Sequence, residues 1–216
     1  MRRTAKKNGS SEAEKRSIRR RRIVEAASNL FSRLGYSACD MDRVAAKLRI
    51  AKGTIYLYFS SKEELFRACV ADGMARMRLD VQAAAALHEN PLQQIASAIR
   101  AYLKFFAAHP QVVELLIQER AVFKKQSLPT YYEHRDANRV YWRQLYEQLI
   151  QQGRFRSDIP VESLLDNVGN LVFGTMFTNH FLGPPTSLDE QCAKMLEIMF
   201  RGVLSDAERQ KLSARG

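Results

Sequence analysis

The sequence predicts an all-α fold of about nine helices, and three observations carry that prediction. Apolar residues recur every three to four positions along most of the 216-residue chain. Helix-starting serines, asparagines and prolines and helix-stopping glycines bracket those periodic runs. No segment shows the strict apolar–polar alternation of a half-buried strand. A small N-terminal module and a larger helical domain follow from where the runs break.

Residues 1–14 read as a basic mobile arm, since a stretch so rich in Arg, Lys and polar residues has little to bury. Ser11 with Glu14 three residues later is a capping box, so the first helix is expected to open near Ser11. Ile23, Ala27, Leu30, Phe31 and Leu34 give it one apolar face, and Gly35 ends it. Asp40 is the expected N-cap of a second helix that turns Met41, Val44, Ala45 and Leu48 inward. The turn is Arg49-Ile50-Ala51, followed by a third helix from about Lys52 to Phe59. Both helices are too short to persist alone, so Ile50 and Ile55 are expected to plug them together.

Ser60 with Glu63, or Ser61 with Glu64, starts a long fourth helix that runs towards Ala86. Asn90-Pro91 caps and opens the fifth, lined by Leu92, Ile95, Ile99, Tyr102, Leu103 and Phe106. His109-Pro110 begins the sixth, and residues 124–129 form a loop. A helix from about Thr130 to Gln152 follows, closed by Gly153. Pro160 opens the eighth, which is apolar nearly all round in its second half and ends at Gly183-Pro184-Pro185. Ser187 and Glu190 cap a last helix, and the chain from Ser205 reads as a polar tail.

The net charge of +11 points to an anionic partner, and ten basic side chains against two acidic ones in residues 1–22 place +8 of it there. Four adjacent arginines, Arg19 to Arg22, oppose the helix macrodipole and are better explained by phosphate contact than by solvation. Three widely spaced cysteines suggest no disulfide framework and a reducing, cytoplasmic setting. The most apolar run, residues 170–177, is far short of the ~20 residues that span a bilayer. The four histidines lack metal-ligand spacing, no glycine loop cradles a phosphate, and no nucleophile setting is recognisable. No enzyme activity, metal or cofactor is therefore expected, and no membrane partner.

Two short helices about a tight turn, followed by hydroxyls, aromatics and lysines, are how a helix-turn-helix offers one helix to the major groove. At the start of the third helix Gly53 permits close backbone approach. Lys52 and Thr54 offer a cation, a hydroxyl and a methyl group. Tyr56 and Tyr58 are candidates for phosphate contact and groove packing.

The residues Gly35-Tyr36, Met41 to Ala45, Ile50 to Phe59 (IAKGTIYLYF) and Ser61 to Leu65 (SKEEL) together resemble the TetR family of bacterial transcriptional regulators over roughly residues 15–66. The resemblance implies a DNA-binding domain at 15–66, a ligand-binding and dimerisation domain at 67–207 and a tail at 208–216. It implies a homodimeric repressor that binds a near-palindromic operator in double-stranded DNA and is released by a small effector. It also implies that Lys62 grips a phosphate and that Arg43 lies near the groove. Two positions depart from the family pattern. Arg49 replaces a common glycine, costing roughly 1 kcal/mol of left-handed strain. Ala51 replaces a capping serine, forfeiting about another 1 kcal/mol.

In the larger domain, Tyr102, Phe106, Leu116, Trp142, Phe173 and Phe177 are candidates to line an effector pocket, with Glu119, Arg120, Asn138 or His180 as polar partners. So many aromatics suggest a hydrophobic or aromatic effector. The last two helices, which carry Leu171, Met176, His180, Met195 and Met199, read as a dimer seam or as a buried intrachain pair. Two alternatives remain at this point, a redox sensor acting through Cys39 and a basic membrane-surface protein.

Overall fold

The computed structural model describes residues 5–124 and 128–213, so the expected 124–129 loop lies partly outside the described residues. Ten helices are present among them: α1 (Ala5–Ala38), α2 (Met41–Leu48), α3 (Lys52–Tyr56), α4 (Lys62–Ala86), α5 (Pro91–Ala108), α6 (Pro110–Val122), α7 (Thr130–Gln151), α8 (Val161–Leu182), α9 (Leu188–Val203) and α10 (Asp206–Ser213). The chain divides into two compact units. One comprises the chain up to Met74 with Glu114–Thr130, the other Ala75–Val113 with Tyr131 onward. The first unit thus takes in a segment, 114–130, that was expected in the larger domain.

In the first unit, α1 starts at Ala5, ahead of the expected start at Ser11, so residues 5–14 are helical rather than an irregular arm. Ala5, Lys6, Lys7, Glu12, Ala13 and Glu14 favour the helix, against Asn8, Gly9, Ser10 and Ser11 between them, and Glu12 stands four residues before Arg16, the favourable orientation for an ion pair. Gly35 interrupts the helix at φ 83°, a conformation other residues reach only with strain. The core is built from Ile23, Val24, Ala27 and Phe31 of α1, Val44 of α2, Ile55 of α3 and Leu65, Phe66 and Val70 of α4, all buried. Leu34, expected on this face, is instead exposed. Phe31, Tyr36, Phe66 and Phe123 form an aromatic cluster with centroid separations of 5.1–6.0 Å. The Gln118 side chain donates to the Phe31 carbonyl at 2.9 Å, tying α6 to α1.

In the second unit α5 packs on α8 and α9. Leu92, Ile95, Ile99, Tyr102, Leu103 and Phe106 of α5 are all buried, as their spacing requires. Asn90 caps α5 through the Leu92 N–H at 3.0 Å, with Pro91 at the first position. Arg139 of α7 pairs with Glu162 and, at 2.7 Å, with Asp166 of α8. The expected polar tail is in fact α10. Ser205 Oγ accepts from the Glu208 N–H at 3.3 Å, and the buried Glu208 carboxylate accepts from Arg154 Nε at 3.0 Å. An antiparallel bridge between Phe155 and Leu204 holds the α7–α8 connection against the end of α9.

Candidate nucleic-acid interface

Asp40 caps α2 through the Arg43 N–H at 2.9 Å, and α2 ends at Arg49 in the left-handed conformation, φ 56° and ψ 46°. Arg49 is the only non-glycine residue with positive φ among those described. Its N–H returns to the carbonyls of Ala45 and Ala46, so the turn closes despite the missing glycine. Ala51 opens α3 with no side-chain hydrogen bond. The third helix is shorter than expected, ending at Tyr56, because the chain tightens into a turn in which the Tyr58 N–H reaches Ile55 O at 2.9 Å.

That short helix has two distinct faces. Ile55, together with Phe59 just beyond it, is completely buried and anchors α3, whereas Ile50 is only half-buried. Gly53 is exposed, and a Cβ added there would meet nothing within 4 Å. Lys52 is exposed and its Nζ donates to Asp42 Oδ2 at 2.7 Å, a hydrogen bond that raises the lysine above its ordinary pKa. Arg43 and Tyr56 are exposed, while Thr54 is half-buried. The structure therefore brings Lys52, Gly53, Thr54 and Tyr56 together at one surface.

The other two expected DNA-contacting residues are partly engaged within the chain. Lys62 Nζ donates to the Ser37 carbonyl at 3.2 Å and stands 4.5 Å above the Tyr36 ring. Tyr58 is half-buried under the Arg16 guanidinium, 5.8 Å from its ring. Beside Tyr58 a cleft is lined by Glu12, Lys15, Arg16, Arg19 and Arg22 of α1. These five recur at helical spacing, so four cations share one stripe with a single carboxylate. Arg20 lies on another side, over the Phe59 ring at 4.8 Å. Ser61 caps α4 through the Glu64 N–H at 3.0 Å. The Glu64 carboxylate reaches back to the Ser60 N–H and hydroxyl, the hydroxyl bond holding that carboxyl below its usual range.

Of the expected effector residues, the second unit gathers several. Tyr102 packs edge-on against Phe106 at 4.8 Å, and its hydroxyl lies 3.1 Å from that of Tyr131 and 3.6 Å from Met176 Sδ. Phe173 lies 4.4 Å from Tyr131 and 4.8 Å from Phe177. Burial drives the Tyr102 hydroxyl well above its ordinary pKa and pushes Tyr131 up to about 12, so both remain neutral donors. Trp142 is half-buried against Tyr141, and Asn138 accepts from Gln82 at 3.5 Å. Leu116 and Arg120 belong to the first unit, and Arg120 is exposed. Glu119, expected as a polar partner in the pocket, is buried and instead accepts from the Thr130 N–H and hydroxyl at the start of α7.

The expected seam residues divide in the same way. Met176 is buried inside the protomer, its sulfur 3.6 Å from the Tyr102 hydroxyl of α5. Met195 and Met199 are also buried, and Leu171 is exposed. His180 is half-buried, edge-on to Phe181. The apolar residues most exposed on α8 and α9 are Phe181, Leu182 and Ile198. Helical periodicity finds an apolar stripe but does not say which side of it the protomer itself covers.

Residues 23–69 match the family model of the bacterial regulatory proteins of the tetR family, and residues 88–165 match that of the tetracyclin repressor-like C-terminal domain. The chain belongs to the TetR family. Among its curated relatives are the uncharacterized HTH-type transcriptional regulator YhgD of Bacillus subtilis and the HTH-type transcriptional repressor SCO4008 of Streptomyces coelicolor. The first is 35% identical over 48% of this chain and the second 33% identical over 50% of it. The chain spans about half the length of each of these two relatives, 53% in both cases. The ketosteroid regulator KstR2 of Mycobacterium tuberculosis shares the fold at TM-score 0.63 and 21% identity, covering 87% of this chain and 96% of that one. The fatty acid degradation regulator FadR from Bacillus halodurans does so at TM-score 0.72 and 14% identity, covering 84% and 94%.

The departures of this TetR-family chain from the usual turn have a measurable consequence. Arg49→Gly relieves roughly 1 kcal/mol of left-handed strain but gives the unfolded chain more freedom, which offsets about 0.4–1 kcal/mol, so a small net gain of up to about 0.5 kcal/mol is expected. Urea unfolding checks it, and a loss of stability would mean that the Arg49 side chain stabilises the turn by more than its backbone costs. Cys39 finds no support as a redox sensor: it is wholly buried, and burial raises its thiol above the ordinary range, away from the reactive thiolate. No helix among the described residues is long and apolar enough to cross a membrane, and none of their His, Cys, Asp and Glu side chains cluster as metal ligands do.

Proposed function

We propose that this TetR-family regulator is a homodimeric repressor that binds a near-palindromic operator through α3 and leaves it when a small hydrophobic molecule binds the larger domain. The observation that carries the reading is the open face of α3. Ile55 and Phe59 fix the helix in the core while Gly53 stands clear, with Lys52 and Thr54 on either side of it in sequence and Arg43 exposed on α2. A backbone that can approach closely, short polar side chains and cations are what a major groove and its phosphates require. Tyr56, Tyr58 and Lys62 serve the same surface in this reading. The basic stripe on α1, Lys15, Arg16, Arg19 and Arg22, grips further phosphates as a helix, in place of an irregular arm.

Dimerisation is supported by Phe181, Leu182 and Ile198, large apolar residues on α8 and α9 that the protomer leaves in water. The effector is read as hydrophobic because Tyr102, Phe106, Tyr131, Phe173 and Phe177 contribute rings and neutral hydroxyls. The names of two structural relatives, a ketosteroid regulator and a fatty acid degradation regulator, agree with an apolar ligand. Such a ligand acts only through unequal affinity for the DNA-bound and free states.

The test is selection of duplexes from a random-sequence pool by the full-length protein, followed by binding titrations over a range of salt. A palindromic consensus is expected. The triple variant Arg16→Ala, Arg19→Ala, Arg22→Ala is expected to weaken binding and to flatten the slope of log affinity against log salt by about 0.9 for each phosphate that is no longer neutralised. An unaltered slope would remove α1 from the interface, and the absence of any selected sequence would remove the operator itself.

A further inference from the structure

Leu57, the residue that closes α3, is 72% exposed. It sits at the C-cap of the helix in right-handed helical conformation, with its N–H bonded back to Gly53 O and Ile55 O. It follows Gly53 by four residues, which puts it on the same open side of the helix, one turn on. The core does not use it, since Ile55 and Phe59 already fill the buried face completely. Lys52, Thr54 and Tyr56, its companions on α3, can each make hydrogen bonds or ion pairs, whereas leucine can make neither.

We infer that Leu57 is a specificity-determining residue that packs against the 5-methyl group of a thymine in each operator half-site. This rests on the reading of α3 as the helix that enters the major groove. Within that groove every base offers hydrogen-bond donors or acceptors, and thymine adds a 5-methyl group beside its O4 acceptor, the apolar feature an aliphatic side chain can recognise. Against cytosine or a purine at the same place, Leu57 would cover a polar edge without pairing it, which disfavours those bases. The residue therefore selects a base through burial and not through a hydrogen bond. It complements Lys52 and Thr54, which act earlier on the same helix.

The experiment uses the full-length protein and the duplex it selects from a random pool. Each thymine of one half-site is replaced singly by deoxyuridine, which keeps the pairing and removes only the methyl group. At one position affinity should fall about four-fold, the change expected when the burial of a single methyl group is removed. The Leu57→Ala variant, confirmed as folded by circular dichroism, should bind the thymine and uracil duplexes equally at that position. If the unaltered protein tolerates uracil at every position, or if Leu57→Ala keeps the full four-fold sensitivity, the inference is overturned while the operator reading stands. If no duplex is selected at all, the operator reading fails first and this inference falls with it.

Discussion

Replacing Gly53 by leucine is expected to leave the fold unharmed and to weaken operator binding by about 100-fold or more, roughly 2.7 kcal/mol. The two halves of that expectation have different causes. In the free protein a Cβ at Gly53 meets no atom within 4 Å, and Gly53 is not among the glycines with positive φ, so the new side chain enters open solvent. Leucine also favours the helix more than glycine does, so the melting temperature should stay level or rise slightly. In the proposed complex with DNA the same open space is where a phosphate or base edge stands. The added side chain then holds the N-terminus of α3 away, and its backbone N–H groups no longer reach the DNA. Thermal melting followed by circular dichroism and binding by fluorescence anisotropy, at one salt concentration, separate the two effects. Unchanged binding would mean that this end of α3 does not approach DNA closely.

The elements specified by local chemistry were the legible ones. Asp40, Asn90 and Ser187 each accept from a backbone N–H of the helix they precede, as their places in the sequence imply. The buried side of α3 was legible in part: Ile50 and Ile55 were expected as the plugs, and Ile55 is buried while Ile50 is only half-buried. What could not be read was which side of a long apolar helix the protomer covers. Met176 and Leu171 lie five residues apart on α8, yet one packs beneath Tyr102 and the other is exposed. Glu119 is similarly ambiguous, since nothing in a run of helical residues announces that a carboxylate will reach Thr130 eleven positions later. Leu57 escapes notice for the opposite reason: an apolar residue next to Tyr56 and Tyr58 looks like core until its exposure is known.

The C-terminal segment carries a helix signal that its polarity hides. Ser205-Asp206-Ala207-Glu208 has the serine and glutamate spacing of a capping box, the feature that marks the start of α4 and α9, but no apolar run stands behind it. Among the described side chains, what holds α10 is polar. Glu208 is 5% exposed, and its carboxylate takes Arg154 Nε at 3.0 Å, while Arg154 Nη1 also reaches the Asn90 carboxamide oxygen at 3.3 Å. One guanidinium thereby joins the end of α7, the cap of α5 and the first turn of α10. Glu208→Ala would leave that guanidinium mostly out of water with its charge uncompensated, and a loss of about 2–3 kcal/mol is expected, near the lower end for a broken buried pair. Glu208→Gln keeps an acceptor in place and should lose less. The control is Glu197→Ala, which removes an exposed i,i+4 pair with Arg201 on α9 and should cost under ~0.5 kcal/mol. Urea unfolding of the three variants checks the order. If Glu208→Ala matched the Glu197→Ala control, α10 would be an ornament on the surface, and the pairing with Arg154 would hold nothing together.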